Sequence, residues 1–332
     1  MRLQPDSDAL QFASAVRDLL GQACDAQALR AAWDSDDGRV PGLWKRLADM
    51  GVTGLVVPEN HDGAGLDLTG ALPVFVEAGR AALPEPLVAT TTAAALLARA
   101  GGDVAEQWLP RVAVGGAVLA LGDGSDALVV GGQWADLFLI GEGATVRACS
   151  RDDVEVEAAP SIDPGIGLAR VRVSAGTGAN VDGADGLAAF DWACVAVAAE
   201  LVGLAQAMLD RAVAYAKVRE QFGKPIGSFQ AVKHQLADVF VATAFALPVV
   251  NRAAWSVAHD LPTRSRDASH AKYAAGRAAA QAARTALQVH AGIGYTYEND
   301  LHMWLKRTWS LTAQWGTTDW HHDRAARELL GG

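Results

Sequence analysis

Apolar residues recur at steps of three and four along much of the first 113 residues, a spacing that predicts amphipathic helices. Four segments show it: 7–20, 43–50, 68–82 and 86–101. Ser7 is placed to cap the first helix, because its hydroxyl can accept a hydrogen bond from the first turn. Residues 52–58, which end in a proline, are predicted to be extended.

The pattern changes between about residues 117 and 189. Short valine-rich runs alternate there with Gly, Asp and Pro, an arrangement typical of strands joined by turns. The runs are 117–121, 127–130, 137–140, 144–148 and 168–173. We therefore predict a small β domain in this zone.

Helical spacing returns at about residue 190. The predicted helices are 201–215, 228–247, 266–290, 299–312 and 318–330. Ser228 is expected to cap the second of these, and Pro248 to kink or end it. The chain is thus predicted to be α+β and mainly α. Its three domains are an N-terminal helical domain (1–113), a shortened β domain (114–189) and a C-terminal helical bundle (190–332).

Composition narrows the class of protein. With 332 residues, 51% of them apolar, the chain can build a large core and about two domains. No uninterrupted apolar run reaches the length of a membrane span, and no apolar signal core is visible, so a cytoplasmic protein is expected. The net charge of −10 argues against a nucleic-acid partner. Three scattered cysteines, Cys24, Cys149 and Cys194, predict reduced thiols and no metal site.

Two segments of the C-terminal part join a helical pattern to a glycine turn that carries polar groups. They are 218–230 (VREQFGKPIGSFQ) and 288–298 (QVHAGIGYTYE). Arg219 in the first can make charge-assisted, paired hydrogen bonds to phosphate. The alternative is a solvated arginine at a helix end, paired with Glu220.

These two segments and residues 43–59 (LWKRLADMGVTGLVVPE) resemble three signatures of the acyl-CoA dehydrogenases, in the same order, and the likeness covers nearly the whole chain. The resemblance implies the family fold, whose C-terminal domain is a four-helix bundle, and FAD as the cofactor. It also implies that Arg219 reaches the pyrophosphate of a flavin bound mainly by a neighbouring subunit.

The other residues that match the family's cofactor signatures fall into two groups. On the adenosine side they are Gln221, Phe222 and Gln230. In the turn whose backbone N–H groups approach the ribityl-phosphate region they are Gln288, Val289, His290, Ala291 and Gly292. Ala291 stands where the family has glycine, so we expect a slightly looser approach there.

The family's catalytic base is missing at both of its usual places. In the implied reaction, a glutamate removes the α proton of an acyl-CoA thioester while the β hydride goes to flavin N5. One place corresponds to Trp315, before Gly316-Thr317, and the other to Ala193, and neither side chain can accept a proton. Glu200 lies seven residues from Ala193, about 10 Å along a helix, so it is a weak candidate base or a structural acid. Asp191 is expected to cap that helix.

The predicted β domain also departs from the family pattern. Residues 119–126 lack the Thr-Glu-Pro part of the loop that binds the flavin ring and keep only Gly124-Ser125-Asp126. A chain without its own flavin-ring cradle should hold flavin poorly by itself. His321 and His322, beside Asp323, are not predicted to bind a metal, because adjacent helical residues point in different directions.

The preferred hypothesis is a non-catalytic subunit that completes the FAD site of a full-length homologue. It resembles the shorter subunit of actinobacterial α2β2 acyl-CoA dehydrogenases that act on sterol-derived thioesters, with an acyl-CoA substrate and an electron-transfer-flavoprotein-like acceptor. One alternative is a self-sufficient homo-oligomeric enzyme that uses Glu200 or another acid. The other is a structural or regulatory binding protein without flavin.

Overall fold

The computed structural model describes residues 3–174 and 176–331. Most of the described chain is helical. The helices are α1 Ser7–Ala23, α2 Ala26–Trp33, α3 Leu43–Asp49, α4 Leu68–Arg80, α5 Leu87–Ala100, α6 Gly102–Ala113, α7 Gly186–Val218, α8 Gln230–Ala258, α9 Arg264–His290, α10 Leu301–Ala313 and α11 Thr318–Leu330. The strands are β1 Leu119–Asp123, β2 Asp126–Val129, β3 Leu137–Glu142, β4 Thr145–Ser150, β5 Val154–Ala158, β6 Ala169–Val173, β7 Ala179–Asn180, β8 Glu220–Gln221 and β9 Lys224–Pro225.

One compact unit holds the C-terminal helices. It contains residues from 194 onward, together with 72–83 and the residues up to 21. Helix α9 packs against α8, α10 and α11, and its inner face is mostly alanine. Because alanine is small, the helix axes can approach closely while still burying apolar surface.

Two glycines in this unit set the contact between α4 and α7. A Cβ placed on Gly79 would lie 2.0 Å from the carbonyl oxygen of Glu200, and one placed on Gly203 would lie 1.9 Å from that of Val76. Any larger residue would force the two helices apart. The 72–83 segment is also tied to α10, because Trp304 Nε1 donates to the carbonyl oxygen of Arg80 at 2.9 Å.

The second unit, residues 22–71 and 84–193, contains two small sheets. In the first, with strand order β1-β3-β4-β7, β1 and β3 are parallel and the other pairs are antiparallel. The second, with order β2-β6-β5, is antiparallel throughout. Leu119, Phe138 and Val171 are among the fully buried core residues. The predicted fold class is therefore confirmed: a mainly helical chain with a small strand domain in the middle of the sequence.

Several local predictions were wrong. Residues 52–57 form turns and bends, so the predicted extended segment at 52–58 is wrong. The carboxylate of Asp6, not the hydroxyl of Ser7, accepts a hydrogen bond from the first turn of α1, at Ala9 N. Helix α8 has Phe229 at its N-cap with no side-chain cap, so Ser228 does not cap it. Of the two effects expected of Pro248, a kink or an end, the end does not occur, because the helix continues ten residues beyond it.

The predicted role of Asp191 also needs correction. Helix α7 begins at Gly186, five residues earlier than Asp191, and Asp191 is fully buried within it. The carboxylate that serves the first turn is Asp185, which accepts from Ala188 N at 2.9 Å. A helix that starts this early leaves Asp191 no free backbone N–H to cap.

Two helices in the described residues pass a test of length and mean hydropathy for a membrane span, although no uninterrupted apolar run of that length exists. They are α7, with mean hydropathy 1.8, and α8, with 1.4. In α7, 83% of the most apolar window is buried inside the structure, and in α8 28%. The core helices of globular proteins pass the same test, so the result is weak evidence for a membrane span. Most of the apolar window of α8 is not buried inside the structure, and this exposure needs an explanation.

Candidate functional site

A tight hairpin follows α7 and presents the first candidate segment. β8 and β9 pair antiparallel, with Glu220 opposite Pro225 and Gln221 opposite Lys224. The two residues between them, Phe222 and Gly223, both have positive φ, at 55° and 76°. Two consecutive residues with positive φ are the mark of a type I′ hairpin turn, for which Asn-Gly is preferred. A phenylalanine at the first position is strained, so the requirements of the turn do not explain why this residue is present.

The side chain of Phe222 is 91% exposed, the largest exposure among the large apolar residues described. Its ring meets Phe229 edge to face at 6.1 Å, and Lys224 Nζ lies 4.5 Å from the centre of the Phe229 ring. The hairpin thus holds an aromatic ring outward in solvent, next to a cation. Such a surface suits stacking on a ligand or burial against another chain.

Arg219 occupies the turn between α7 and this hairpin. Its N–H donates to the carbonyl oxygen of Tyr215 at 2.8 Å, and its own carbonyl accepts from Ile226 N at 2.8 Å. The backbone is therefore fixed while the side chain is exposed. Within the described residues the guanidinium forms no ion pair, so the alternative of a pair with Glu220 is not realised. Gln221 and Gln230 are also exposed.

The second candidate segment is the turn at the end of α9. Gln288, Ala291 and Gly292 are exposed, whereas Val289 and His290 are buried. Ala291 has φ 52° and ψ −138°, a conformation that glycine adopts far more readily than alanine. The backbone conformation explains why the family has glycine at this position. In this chain an alanine adopts the same conformation at the cost of strain.

The backbone at this turn is open to an approaching group. A Cβ built on Gly292 would meet no atom within 4 Å. Within the turn, the Ala291 N–H already donates to the carbonyl oxygens of Leu287 and Gln288, so the open backbone is that of Gly292. The exposed side chains of Arg219 and Phe222 and the exposed Gly292 are groups of these two segments that an approaching ligand can reach.

Three buried donors fix the loop that carries Trp315. Lys272 Nζ donates to the carbonyl oxygens of Thr312 and Gly316, at 3.2 and 3.3 Å. His321 Nε2 donates to the carbonyl of Trp315 at 2.7 Å, and Cys194 Sγ donates to the same oxygen at 3.5 Å. Trp315 itself has φ 55°. The loop is therefore held by the interior of the bundle, and it carries the indole at the position where the sequence resemblance predicts the family's base.

Burial shapes the charges under this loop. Lys272 is 1% exposed, and desolvation lowers its pKa to about 8. Desolvation and the nearby Lys272 lower the pKa of His321 to about 4, so His321 is neutral at pH 7. A neutral ring is consistent with its hydrogen bonds, since Nε2 donates to a carbonyl while Nδ1 lies 3.1 Å from the Ser269 hydroxyl.

His321 and His322 lie in different surroundings. His321 points into the bundle, whereas His322 is exposed and lies 3.3 Å from Asp323. No cluster of three or more His, Cys, Asp or Glu side chains suited to a metal occurs in the part of the chain that the structure describes.

The other residues considered as bases lie inside the protein. Ala193 is fully buried in α7. Glu200 is 7% exposed, on the stretch of α7 whose backbone touches Gly79 of α4. Among the residues at or near the family's base positions, Trp315 is the one that is part-exposed.

The Gly124-Ser125-Asp126 remnant takes part in the sheet. Asp126 forms ion pairs with Arg170 at 2.9 Å and with Arg172 at 3.9 Å. It starts β2, opposite Arg172 of β6. Its carboxylate is thus engaged in cross-strand pairing within its own unit.

Sequence reasoning missed Lys272 and Cys194 as parts of the site. Lys272 stands on the same stripe of α9 as Ala268, Ala275 and Ala279, at steps of four, three and seven. A lysine in an otherwise apolar stripe signals a buried cation with specific acceptors. Cys194 gave no comparable signal, because a buried cysteine is an ordinary core residue.

Helix α8 carries an uncovered apolar patch. Phe240, Val241 and Phe245 are 62%, 50% and 74% exposed. Val241 and Phe245 are four residues apart and share a face, and Phe240 lies about 100° from Val241 around the helix, so the three form a broad stripe on one side. Exposed apolar side chains grouped in this way are typical of a surface that contacts another molecule.

Comparisons with known proteins give a consistent result. The acyl-CoA dehydrogenase N-terminal domain model matches residues 6–116, and the C-terminal domain model matches residues 186–330. "Acyl-CoA dehydrogenase IpdE2" of Mycobacterium tuberculosis is 38% identical over 307 residues, 92% of each chain. The IpdE2 protein of Mycolicibacterium smegmatis is 36% identical and covers 88% of this chain and 89% of its own length.

Solved structures share the fold. The "ChsE4-ChsE5 complex from Mycobacterium tuberculosis" has a chain with a TM-score of 0.88 and 24% identity, with complete coverage of both chains. A "Tcur3481-Tcur3483 steroid ACAD" variant gives a TM-score of 0.90 with 24% identity, covering 98% of each chain.

Proposed function

Because the chain belongs to the acyl-CoA dehydrogenase family of flavin-dependent oxidoreductases, we propose that it is the non-catalytic subunit of a heteromeric acyl-CoA dehydrogenase. In this proposal it completes the FAD site of a full-length homologous subunit, and by itself it is inactive. The observation that carries the proposal is Trp315, an indole on a clamped loop where the family has its glutamate.

The absence of a proton acceptor follows from chemistry as well as position. A general base must reach the proton it removes, at hydrogen-bonding distance. An indole has no lone pair that can take a proton at neutral pH, and Ala193 has no functional group. We therefore assign α-proton abstraction from the acyl-CoA thioester to a glutamate of the partner.

The assigned role of this chain is to hold the cofactor's tail. FAD, when bound, supplies the hydride acceptor for α,β-dehydrogenation. Arg219 would neutralise the pyrophosphate, and Phe222, Gln221 and Gln230 would contact the adenosine side. The turn at Gln288–Gly292 would bring the backbone at Gly292 close to the ribityl phosphate, with Val289 and His290 packing beneath it.

Two features support a partner chain. The groups assigned to the cofactor's tail are exposed, as expected if they serve a flavin held mainly by another subunit. The stripe Phe240, Val241 and Phe245 on α8 also needs a cover. The ChsE4-ChsE5 structure is described as a complex, and by analogy we propose an α2β2 assembly.

Other details of the proposal rest on the relatives and on the sequence. One structural neighbour is described as a steroid acyl-CoA dehydrogenase, so we propose a steroid-derived acyl-CoA as substrate. An electron-transfer-flavoprotein-like acceptor and a cytoplasmic location complete the proposal. We also propose the three domains 1–113, 114–189 and 190–332.

The test uses the chain with whatever partner co-purifies from its native host. We expect a yellow complex that oxidises acyl-CoA, and replacement of Arg219 by alanine should lower its FAD content several-fold. A matched control is Arg277→Gln, an exposed arginine of α9 whose guanidinium contacts Tyr273. Unchanged FAD content in Arg219→Ala would show that this chain does not contribute to the cofactor site.

Two other functions predict different results. A self-sufficient enzyme using Glu200 would purify alone with bound flavin that bleaches on addition of acyl-CoA. A structural or regulatory protein would leave the flavin of the complex unaffected by Arg219→Ala. The burial of Glu200, which is 7% exposed, counts against the self-sufficient enzyme, because a base must reach its substrate.

A further inference from the structure

The two segments assigned to the cofactor's tail follow the ends of different helices, and a ring contact connects those helix ends. Tyr215 is in the last turn of α7, four residues before Arg219, and His290 is the last residue of α9, within the 288–292 segment. Their rings stack with centroids 4.4 Å apart and planes at 22°. The Arg219 N–H donates to the Tyr215 carbonyl, so a shift of Tyr215 would carry Arg219 with it.

The imidazole is fixed from its own side as well. His290 is 5% exposed, and its Nδ1 donates to the carbonyl oxygen of Ala286 at 2.7 Å. The turn then wraps around it, because a Cβ on Gly294 would lie 3.0 Å from the Cβ of His290. The ring therefore has one orientation, and the Tyr215 ring is placed against it.

The charge environment keeps this histidine neutral. Burial lowers the pKa of His290, and the cation of Arg211, one turn before Tyr215 on α7, lowers it further. Arg211 lies 3.5 Å above the Trp304 ring of α10, with Asp300 as a nearby acid. A proton on His290 would add a second positive charge beside Arg211, in a buried position.

We propose that the stack of Tyr215 on His290 is the positioning element that sets the spacing between Arg219 and the 288–292 turn, so that both reach one dinucleotide tail. The inference rests on the proposed function, since it assigns the two segments to the same ligand. Neither ring contacts the cofactor: Tyr215 acts through Arg219, and His290 acts through the turn that it anchors.

The experiment measures the FAD dissociation constant of the complex purified with its native partner, after removal and titration of FAD. Tyr215→Leu removes the stack and should weaken FAD binding about five-fold or more, whereas Tyr215→Phe keeps a ring and should stay within about two-fold of wild type. Tyr273→Leu is a matched control, because it removes another contact between a tyrosine and a histidine, His322, elsewhere in the bundle.

The pH dependence of FAD affinity distinguishes this positioning role from a purely structural one. Because its pKa is lowered, His290 should stay neutral when the pH first falls below the ordinary histidine value of about 6.5. At lower pH its protonation should loosen the turn, and FAD affinity should decline. His290→Phe keeps an aromatic face without a titratable group. It loses the hydrogen bond to the Ala286 carbonyl and should bind FAD more weakly than wild type at pH 7.5, but its affinity should lose most of this decline with pH.

Equal FAD affinity in Tyr215→Leu and wild type would overturn the inference. If Arg219→Ala still weakens binding in that case, the proposed function stands and only the positioning role fails. If neither substitution has an effect, the proposed function fails too. Should Tyr215→Leu not assemble, an unaltered pH profile in His290→Phe would overturn the inference by itself.

Discussion

Replacing Ala291 by glycine should stabilise this protein, although the same replacement in most helices does the opposite. Ala291 ends α9 with φ 52° and ψ −138°. Holding an L-residue on the left-handed side of the backbone map costs about 1–2 kcal/mol. Glycine removes that cost but adds about 0.4–1 kcal/mol of unfolded-chain entropy to be lost on folding. The balance is a gain of about 0.5–1 kcal/mol.

Ala237→Gly is the matched control. Ala237 is exposed in the interior of α8, where glycine should cost about 1 kcal/mol. Urea unfolding of the full chain, with the slope unchanged, measures both effects as shifts of the midpoint. The two variants should shift in opposite directions. A loss of stability in Ala291→Gly similar to that of Ala237→Gly would refute the backbone conformation on which the turn's role depends.

Three further predictions concern the hairpin and the clamped loop. Phe222→Asn should stabilise the hairpin by about 0.5–1 kcal/mol, because Asn adopts a positive φ more readily than Phe. The same substitution should lower the FAD content of the complex, and an unaltered FAD content would show that Phe222 is not part of the cofactor site. The pKa of His321 is about 4 in the folded chain and about 6.5 in the unfolded chain, so the unfolded chain takes up the proton first as pH falls. The free energy of unfolding should therefore be highest above pH 6.5 and fall by at most about 3 kcal/mol towards pH 4. Acid unfolding should lose that slope in His321→Gln but not in the exposed His322→Gln. Trp315→Glu should not give the lone chain acyl-CoA dehydrogenase activity, because the flavin-ring loop is also missing; turnover without a partner would contradict this.

The sequence predicted the fold class and most of the long helices because their apolar periods are strong. It failed where tertiary contacts or turn chemistry decide. Residues 52–58 are apolar enough for a strand but are followed by a turn in which Gly63 lies so close to Val57 that a Cβ would meet its carbonyl oxygen at 2.0 Å. Pro248 is tolerated inside α8, which shows that one proline does not end a helix that gains enough from packing.

The candidate site was predicted in part for a similar reason. Arg219 and the 288–292 turn are candidates because they match the family's signatures, and their role in binding FAD stays a prediction. Nothing in the sequence indicates that Phe222 adopts a positive φ or that its ring is exposed. The stack of Tyr215 on His290 joins positions 75 residues apart, which local patterns cannot connect.

The most direct test of the central claim is the FAD content and activity of this chain purified alone, compared with the complex from its native host. The account predicts a colourless, inactive single chain and a yellow, active complex whose FAD content falls when Arg219 becomes alanine. A lone chain that purifies with stoichiometric FAD and dehydrogenates an acyl-CoA would contradict it.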